Sequence, residues 1–244
     1  MQRLFLIAQC MLVPLAAGAA APPYVTDTIP TPSGALAITF IGHGTLMLKH
    51  GATVIHVDPV SREADYATLP KAGLILVTHE HGDHLDAAAI AKIRTDKTVV
   101  IAPPVCAGAL KGATIMRNGE QTNACGIVIE AVPAYNIKHE RAPGVPFHPR
   151  GVGNGYILTF GATRVYIAGD TEATPEMQAL KDITVAFLPM NLPYTMTPEM
   201  VAGAAKLLKP KILYPYHYGD TDTAQLVNLL KDTPGIEVRI RALK

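Results

Sequence analysis

The stretch Thr78-His79-Glu80-His81-Gly82-Asp83-His84-Leu85-Asp86 follows directly on the wholly apolar run Leu74-Ile75-Leu76-Val77. Such a run reads as a strand buried on both faces, so the polar stretch sits at a strand end. Three of the nine histidines fall within six residues here, with Glu80 and Asp83 between them. Packing does not account for that crowding: imidazoles and carboxylates gathered at one strand end repel or stay unsatisfied unless a Lewis acid holds them. Histidine nitrogens and aspartate oxygens are ordinary ligands of zinc, and a catalytic zinc keeps one position open for water.

The rest of the chain sets bounds. Its 244 residues suffice for one α/β domain with a substantial core, and 49% apolar with 17% charged residues suits a compact fold. The formal net charge is +1 with no basic block, which argues against a nucleic-acid partner. Met1-Gln2-Arg3, the apolar run from Leu4 to Leu15 and the small-x-small Ala17-Gly18-Ala19 read as a signal peptide cleaved after Ala19. That predicts a periplasmic or secreted protein with no membrane span once residues 1–19 are removed. Residues 20–34, rich in Pro and Thr, read as an extended lead-in, and 35–244 as the domain. Cys106 and Cys125 can bridge in an oxidising compartment, but a domain this size does not need the bridge, and the reading favours two unpaired cysteines.

Outward from the histidine stretch, Leu36–Phe40, Thr45–Lys49 and Thr53–Val57 read as strands, the last ending at Asp58-Pro59. Asp86 can cap a helix over Ala87–Arg94. Strands follow at Thr98–Ala102, Ala113–Met116 and Ile127–Val132, with a short helix over Pro103–Lys111. Pro133–Gly153 has neither helical nor strand period and reads as a functional loop. A hairpin (Gly155–Phe160 with Arg164–Ala168), strands at Thr184–Leu188, Lys211–Pro215 and Glu237–Ile240, and helices opened by Thr174-Pro175, Thr197-Pro198 and Asp222 complete the chain. The second half echoes the first, so the economical picture is one domain of two similar sheet-plus-helix halves. His79, His81, Asp83, His84, Asp170 and His217 all follow apolar strands, and strands ending at one sheet edge bring their loops together.

The pattern His79-x-His81-x-Asp83-His84 resembles the metallo-β-lactamase-fold hydrolases. Phe40-Ile41-Gly42-His43, Ala168-Gly169-Asp170-Thr171, Leu188-Pro189 and Pro215-Tyr216-His217-Tyr218-Gly219 are most similar to compact members related to ascorbate-6-phosphate lactonases and acylethanolamine-type phospholipases D. The resemblance implies a four-layer αββα sandwich and two divalent metal ions, zinc in the first instance, with manganese or iron also suited to the ligands. It implies His79 and His81 on the first metal, Asp83, His84 and His217 on the second, Asp170 bridging, and Asp58 bracing the motif from behind. The family's third histidine for the first metal is expected near Pro133-Ala134-Tyr135-Asn136, where Asn136 stands instead; His139 and His148 are the substitutes, His148 is preferred, and Asn136 is set with Asp58 behind the ligands. A metal-bound hydroxide would then attack an ester, lactone, amide or phosphodiester of a small molecule. Asp83 would orient it or take its proton, and His43 or Tyr218 would protonate the leaving group. A true β-lactamase and a non-catalytic metal-binding protein are the rival readings.

Overall fold

The structure is a computed structural model and describes residues 24–244. The expected signal peptide lies outside the described residues.

Strands β1 (Thr26–Thr31), β2 (Gly34–Gly42), β3 (Thr45–His50) and β4 (Thr53–Val57) form an antiparallel meander. Strands β5 (Leu74–Leu76), β6 (Val99–Ala102) and β7 (Thr114–Ile115) extend it in parallel. The second sheet repeats the plan. Strands β8 (Gln121–Ala124), β9 (Ile127–Ala134), β12 (Gly153–Phe160) and β13 (Thr163–Ile167) are antiparallel, while β14 (Val185–Pro189), β15 (Ile212–Tyr216) and β16 (Glu237–Val238) add in parallel. Between β9 and β12 a separate two-stranded hairpin, β10 (Glu140–Ala142) and β11 (Val145–Pro146), stands out from the sheet.

Period-two alternation explains the layers. Leu36, Ile38 and Phe40 of β2 and Tyr156, Leu158 and Phe160 of β12 meet between the sheets. On β5, Leu74 and Leu76 point into that middle core, while Ile75 packs outward with Ile90 and Ile93 of helix α1 (Ala87–Ile93). Both faces are buried, which is why the run is apolar throughout. Ile157, Tyr166 and Leu213 face outward under helices α2 (Pro175–Gln178), α3 (Pro198–Leu208) and α4 (Thr223–Leu230). The result is the αββα sandwich.

Some local expectations needed tertiary contacts to correct them. The lead-in is extended but not free-standing, because Thr26–Thr31 pairs with β2 and Ile29 enters the core. The helix expected over Pro103–Lys111 is one 3₁₀ turn, Pro104–Cys106, and β8 was not anticipated. Pro133–Gly153 carries the β10–β11 hairpin rather than irregular chain throughout. Cys106 is buried, Cys125 exposed, and both are free. No helix among the described residues is long and apolar enough to cross a membrane.

Candidate metal centre

Each sheet delivers residues to one edge, just past the ends of its strands. Asp58 follows β4, His79 to His84 follow β5, Asp170 follows β13 and His217 follows β15. Two of these turns, and the His43 turn that follows β2, hold a residue other than glycine in the left-handed region: His43 (φ 49°), Asp58 (φ 45°) and His217 (φ 48°). Such conformations cost about 1–3 kcal/mol each and persist where surrounding structure imposes them. Here the His217 amide donates to the His43 carbonyl (3.1 Å), tying two of the turns together. Gly44 has a packing reason to be glycine, since a Cβ there would lie 2.7 Å from the His84 ring.

The side chains gather in two groups joined by a carboxylate. Ligating atoms of His79, His81 and His148 lie within 4.8 Å of one another, as do those of His43, Asp83, His84 and His217. Asp170 reaches both: Oδ2 is 3.3 Å from His148 Nε2 and 3.3 Å from His217 Nε2, and Oδ1 is 3.5 Å from His84 Nε2. His84 Nε2, His148 Nε2, His217 Nε2 and Asp170 Oδ1 are buried without a hydrogen-bond partner. Four buried polar atoms without a hydrogen-bond partner, converging around one carboxylate, fit a site for divalent cations. A small void of about 10 Å³, bordered by His79, His81, His148 and Asp170, leaves room at the first group.

The outer partners set the tautomers. Asp58, fully buried, accepts from Thr78 N (2.7 Å) and Thr78 Oγ1 (2.7 Å) and pairs with His84 Nδ1 (2.8 Å). Thr78 Oγ1 in turn lies 3.0 Å from His79 Nδ1. Both rings therefore use Nδ1 for support and turn Nε2 to the site, the usual arrangement for metal-binding histidine. Burial, reinforced by the neighbouring His84, holds the His79 pKa well below its ordinary value, and burial followed by His148 lowers that of His81. Both are neutral and ready to ligate. Burial works against ionised Asp170, but His217 and His84 outweigh it and keep the carboxyl ionised.

Asn136 stands behind His148. Its Oδ1 accepts from the His148 amide (2.7 Å) and faces His148 Nδ1 (2.8 Å). Its Nδ2 donates to Tyr194 O (2.8 Å) and to Glu172 Oε1 (3.2 Å). The structure thus brings His148, carried by the segment after β11, to the group of His79 and His81. His139 is outside both groups, its Nδ1 lying 2.7 Å from Glu172. Glu172 was missed in the sequence. Its buried carboxylate accepts from the amides of Ile137, Lys138 and His139 and so shapes the turn presenting Asn136. The available signal was a second carboxylate so close after Asp170. Replacing Asn136 by Ala is expected to lower affinity for the first metal by about 10–100-fold, read by competition with a chromogenic chelator; unchanged affinity would show that His148 needs no brace.

His43 Nε2 lies 3.2 Å from Asp83 Oδ2, and its Nδ1 lies 3.3 Å from the main-chain oxygen of Lys244. Tyr218 is a correction. Expected as a proton donor, its hydroxyl instead donates to Arg241 O (2.7 Å) and accepts from Leu243 N (3.3 Å), bound to the C-terminal segment and absent from the cavity lining. Over the metal groups opens a cavity of about 510 Å³ lined also by Arg62, Arg141, Phe147, Asn191 and Tyr194.

Two seven-stranded sheets with a His/Asp cluster able to hold metal at one edge define the metallo-β-lactamase fold. Residues 37–217 match the beta-lactamase superfamily domain, and the chain belongs to that superfamily as a metal-dependent hydrolase. A UPF0173 metal-dependent hydrolase of Thermococcus kodakarensis is 36% identical over 193 residues, covering 74% of this chain and 84% of the relative. The crystal structure of a candidate metal-dependent hydrolase from Parabacteroides distasonis superposes with TM-score 0.86 at 52% identity, over 91% of this chain and 100% of the other. Igni18, a metallo hydrolase from Ignicoccus hospitalis, gives TM-score 0.70 at 25% identity over 84% and 94% of the two chains.

Proposed function

We propose that the protein is an exported hydrolase, periplasmic or secreted, that holds two divalent cations, zinc in the first instance, and cleaves an ester, lactone, amide or phosphodiester bond of a small molecule. The observation that carries this reading is Asp170, whose two oxygens reach Nε2 atoms of both histidine groups. His79, His81 and His148 would hold one cation, and Asp83, His84 and His217 the other, with Asp170 shared. Manganese or iron is compatible with the same donors. Bound there, the cations supply Lewis acidity and make water a stronger acid.

The chain's own residues handle the proton and the orientation. Asp83 is the more exposed of the two carboxylates in the cluster, its side chain 33% accessible against 4% for Asp170. Burial alone would raise its pKa, but contacts from His217 and His43 hold it well below the usual range, so it faces the cavity ionised. It orients the attacking water and takes a proton from it. His43 Nε2, 3.2 Å from Asp83 Oδ2, is placed to return a proton to the leaving group. Export is supported by the charged, apolar and small-residue order of the first nineteen residues.

Metal analysis combined with turnover of a lactone, a bis(nitrophenyl) phosphate and a chromogenic cephalosporin tests the reading. About two metals per chain with hydrolysis of the lactone or the diester is expected. Cephalosporin turnover alone would make it a β-lactamase, and full metal occupancy without any turnover would make it a binding protein.

A further inference from the structure

We propose that the part of the cavity lined by Arg62, Arg141, Phe147 and Tyr194 is an oxyanion subsite. The substrate would then carry a carboxylate or phosphate, set apart by a short apolar segment from the bond that is cut. This rests on the hydrolase reading above.

Among the described residues, the only carboxylates lining the cavity are Asp83 and Asp170, and both belong to the metal groups. Two divalent cations would more than offset them, so the two guanidinium groups face the cavity with no carboxylate left to neutralise them. The chain as a whole has a formal net charge of only +1, so this concentration is local and not the spill-over of a basic protein. Arg141 is held in place: Nη2 donates to Phe147 O (2.6 Å), and its guanidinium carbon lies 5.9 Å from the Phe147 ring centroid. Phe147 in turn meets Tyr194 edge-on at 5.0 Å, and Tyr194 O is tied to Asn136. A guanidinium anchored in this way loses less freedom when it pairs with an oxyanion than a free surface arginine does. Arg62 is oriented through Nε, which donates to Glu63 Oε1 at 2.9 Å; Glu63 offsets part of its charge but does not line the cavity. The Phe147 and Tyr194 rings supply the apolar surface beside the two cations.

The test compares 4-nitrophenyl acetate with mono-4-nitrophenyl succinate, which share the leaving group and differ in one remote carboxylate. The metal-loaded protein is expected to show a KM about tenfold lower for the succinate. Arg62→Gln and Arg141→Gln should each raise that KM several-fold with little change in kcat, leave the acetate unaffected, and recover in part as the Lys variants. Inhibition of succinate turnover by acetate and by methyl phosphate, compared between wild type and the double Gln variant, shows which oxyanion the pair prefers. Equal KM for both esters, or succinate kinetics indifferent to both arginines, would overturn the proposal while leaving the hydrolase reading intact. If neither ester turns over, titration calorimetry with 4-phosphonobenzoate against phenylphosphonate decides. Tighter binding of the carboxylated probe, lost in the double variant, supports the subsite whether or not the lactone or the phosphodiester is hydrolysed; equal binding sinks it.

Discussion

Asp170→Asn is expected to fold and to lose its catalytic power. The side chain is 4% exposed, its Oδ2 within 3.3 Å of both His148 and His217, and its Oδ1 3.5 Å from His84. No other carboxylate reaches both histidine groups: Asp83 approaches His43, His84 and His217 only. The amide keeps the shape but removes the charge that would offset the proposed cations and leaves one carbonyl oxygen in place of two carboxylate oxygens. Metal content should fall from about two to at most one per chain. Losing a cation there would forfeit several kcal/mol of transition-state stabilisation, on the order of 10³-fold or more in kcat/KM. Metal analysis after dialysis and turnover of the best chromogenic substrate are the measurements. Two tightly held metals with wild-type turnover would remove Asp170 from the centre.

Asp58→Ala should act on stability as much as on activity, although Asp58 lies outside both groups of candidate ligands. Its carboxylate is the acceptor for the Thr78 amide, the Thr78 hydroxyl and the His84 ring, all fully buried. Truncation strands three donors in a dry interior, and breaking such a buried pair costs about 3–5 kcal/mol. For a domain of this size that is roughly 10 °C in Tm. The pH dependence of the metal-free protein separates this cause from a simple packing loss. Burial opposes charge on His84, but the carboxylates of Asp170 and Asp58 prevail and lift its pKa to about 9. A pKa raised in the fold contributes stability that is complete below the unfolded value near 6.5 and is lost as pH rises through 9. The Tm gap between chelated wild type and Asp58→Ala should therefore be widest at pH 6 and narrower at pH 10. A gap independent of pH would assign the loss to the cavity alone.

What the sequence disclosed, and what it withheld, follow from one distinction. Asp58, Asp170 and His217 were legible because each ends an apolar strand, and strand direction is a local property. So were the helices capped by Asp86 and Thr197, whose side chains accept from Ala88 N and Ala89 N and from Met200 N. The orientation of Tyr218 was not legible, since only the path of the chain from Arg239 to Lys244 decides where a phenol beside His217 bonds. The Glu172 clamp and the hairpin that delivers His148 depend likewise on contacts between segments distant in sequence. Asn136, expected behind the ligands, braces His148 there, and only the folded hairpin shows which ring it holds.

The repeated sheet plan has a mechanical consequence. Asp58 and Asp170 leave equivalent strands, β4 and β13, the fourth of each antiparallel set, yet one supports the histidine stretch from behind and the other reaches across it. His79, His81, Asp83 and His84 belong to the first sheet's loops, and His148, Asp170 and His217 to those of the second. A cation held among them would rivet the two halves of the sandwich together. The free energy of metal binding is then also free energy of holding the layers in register, growing with the ratio of free metal to its dissociation constant. Such a protein would feel metal scarcity first as a loosening of its middle layer, and only secondarily as a slower reaction.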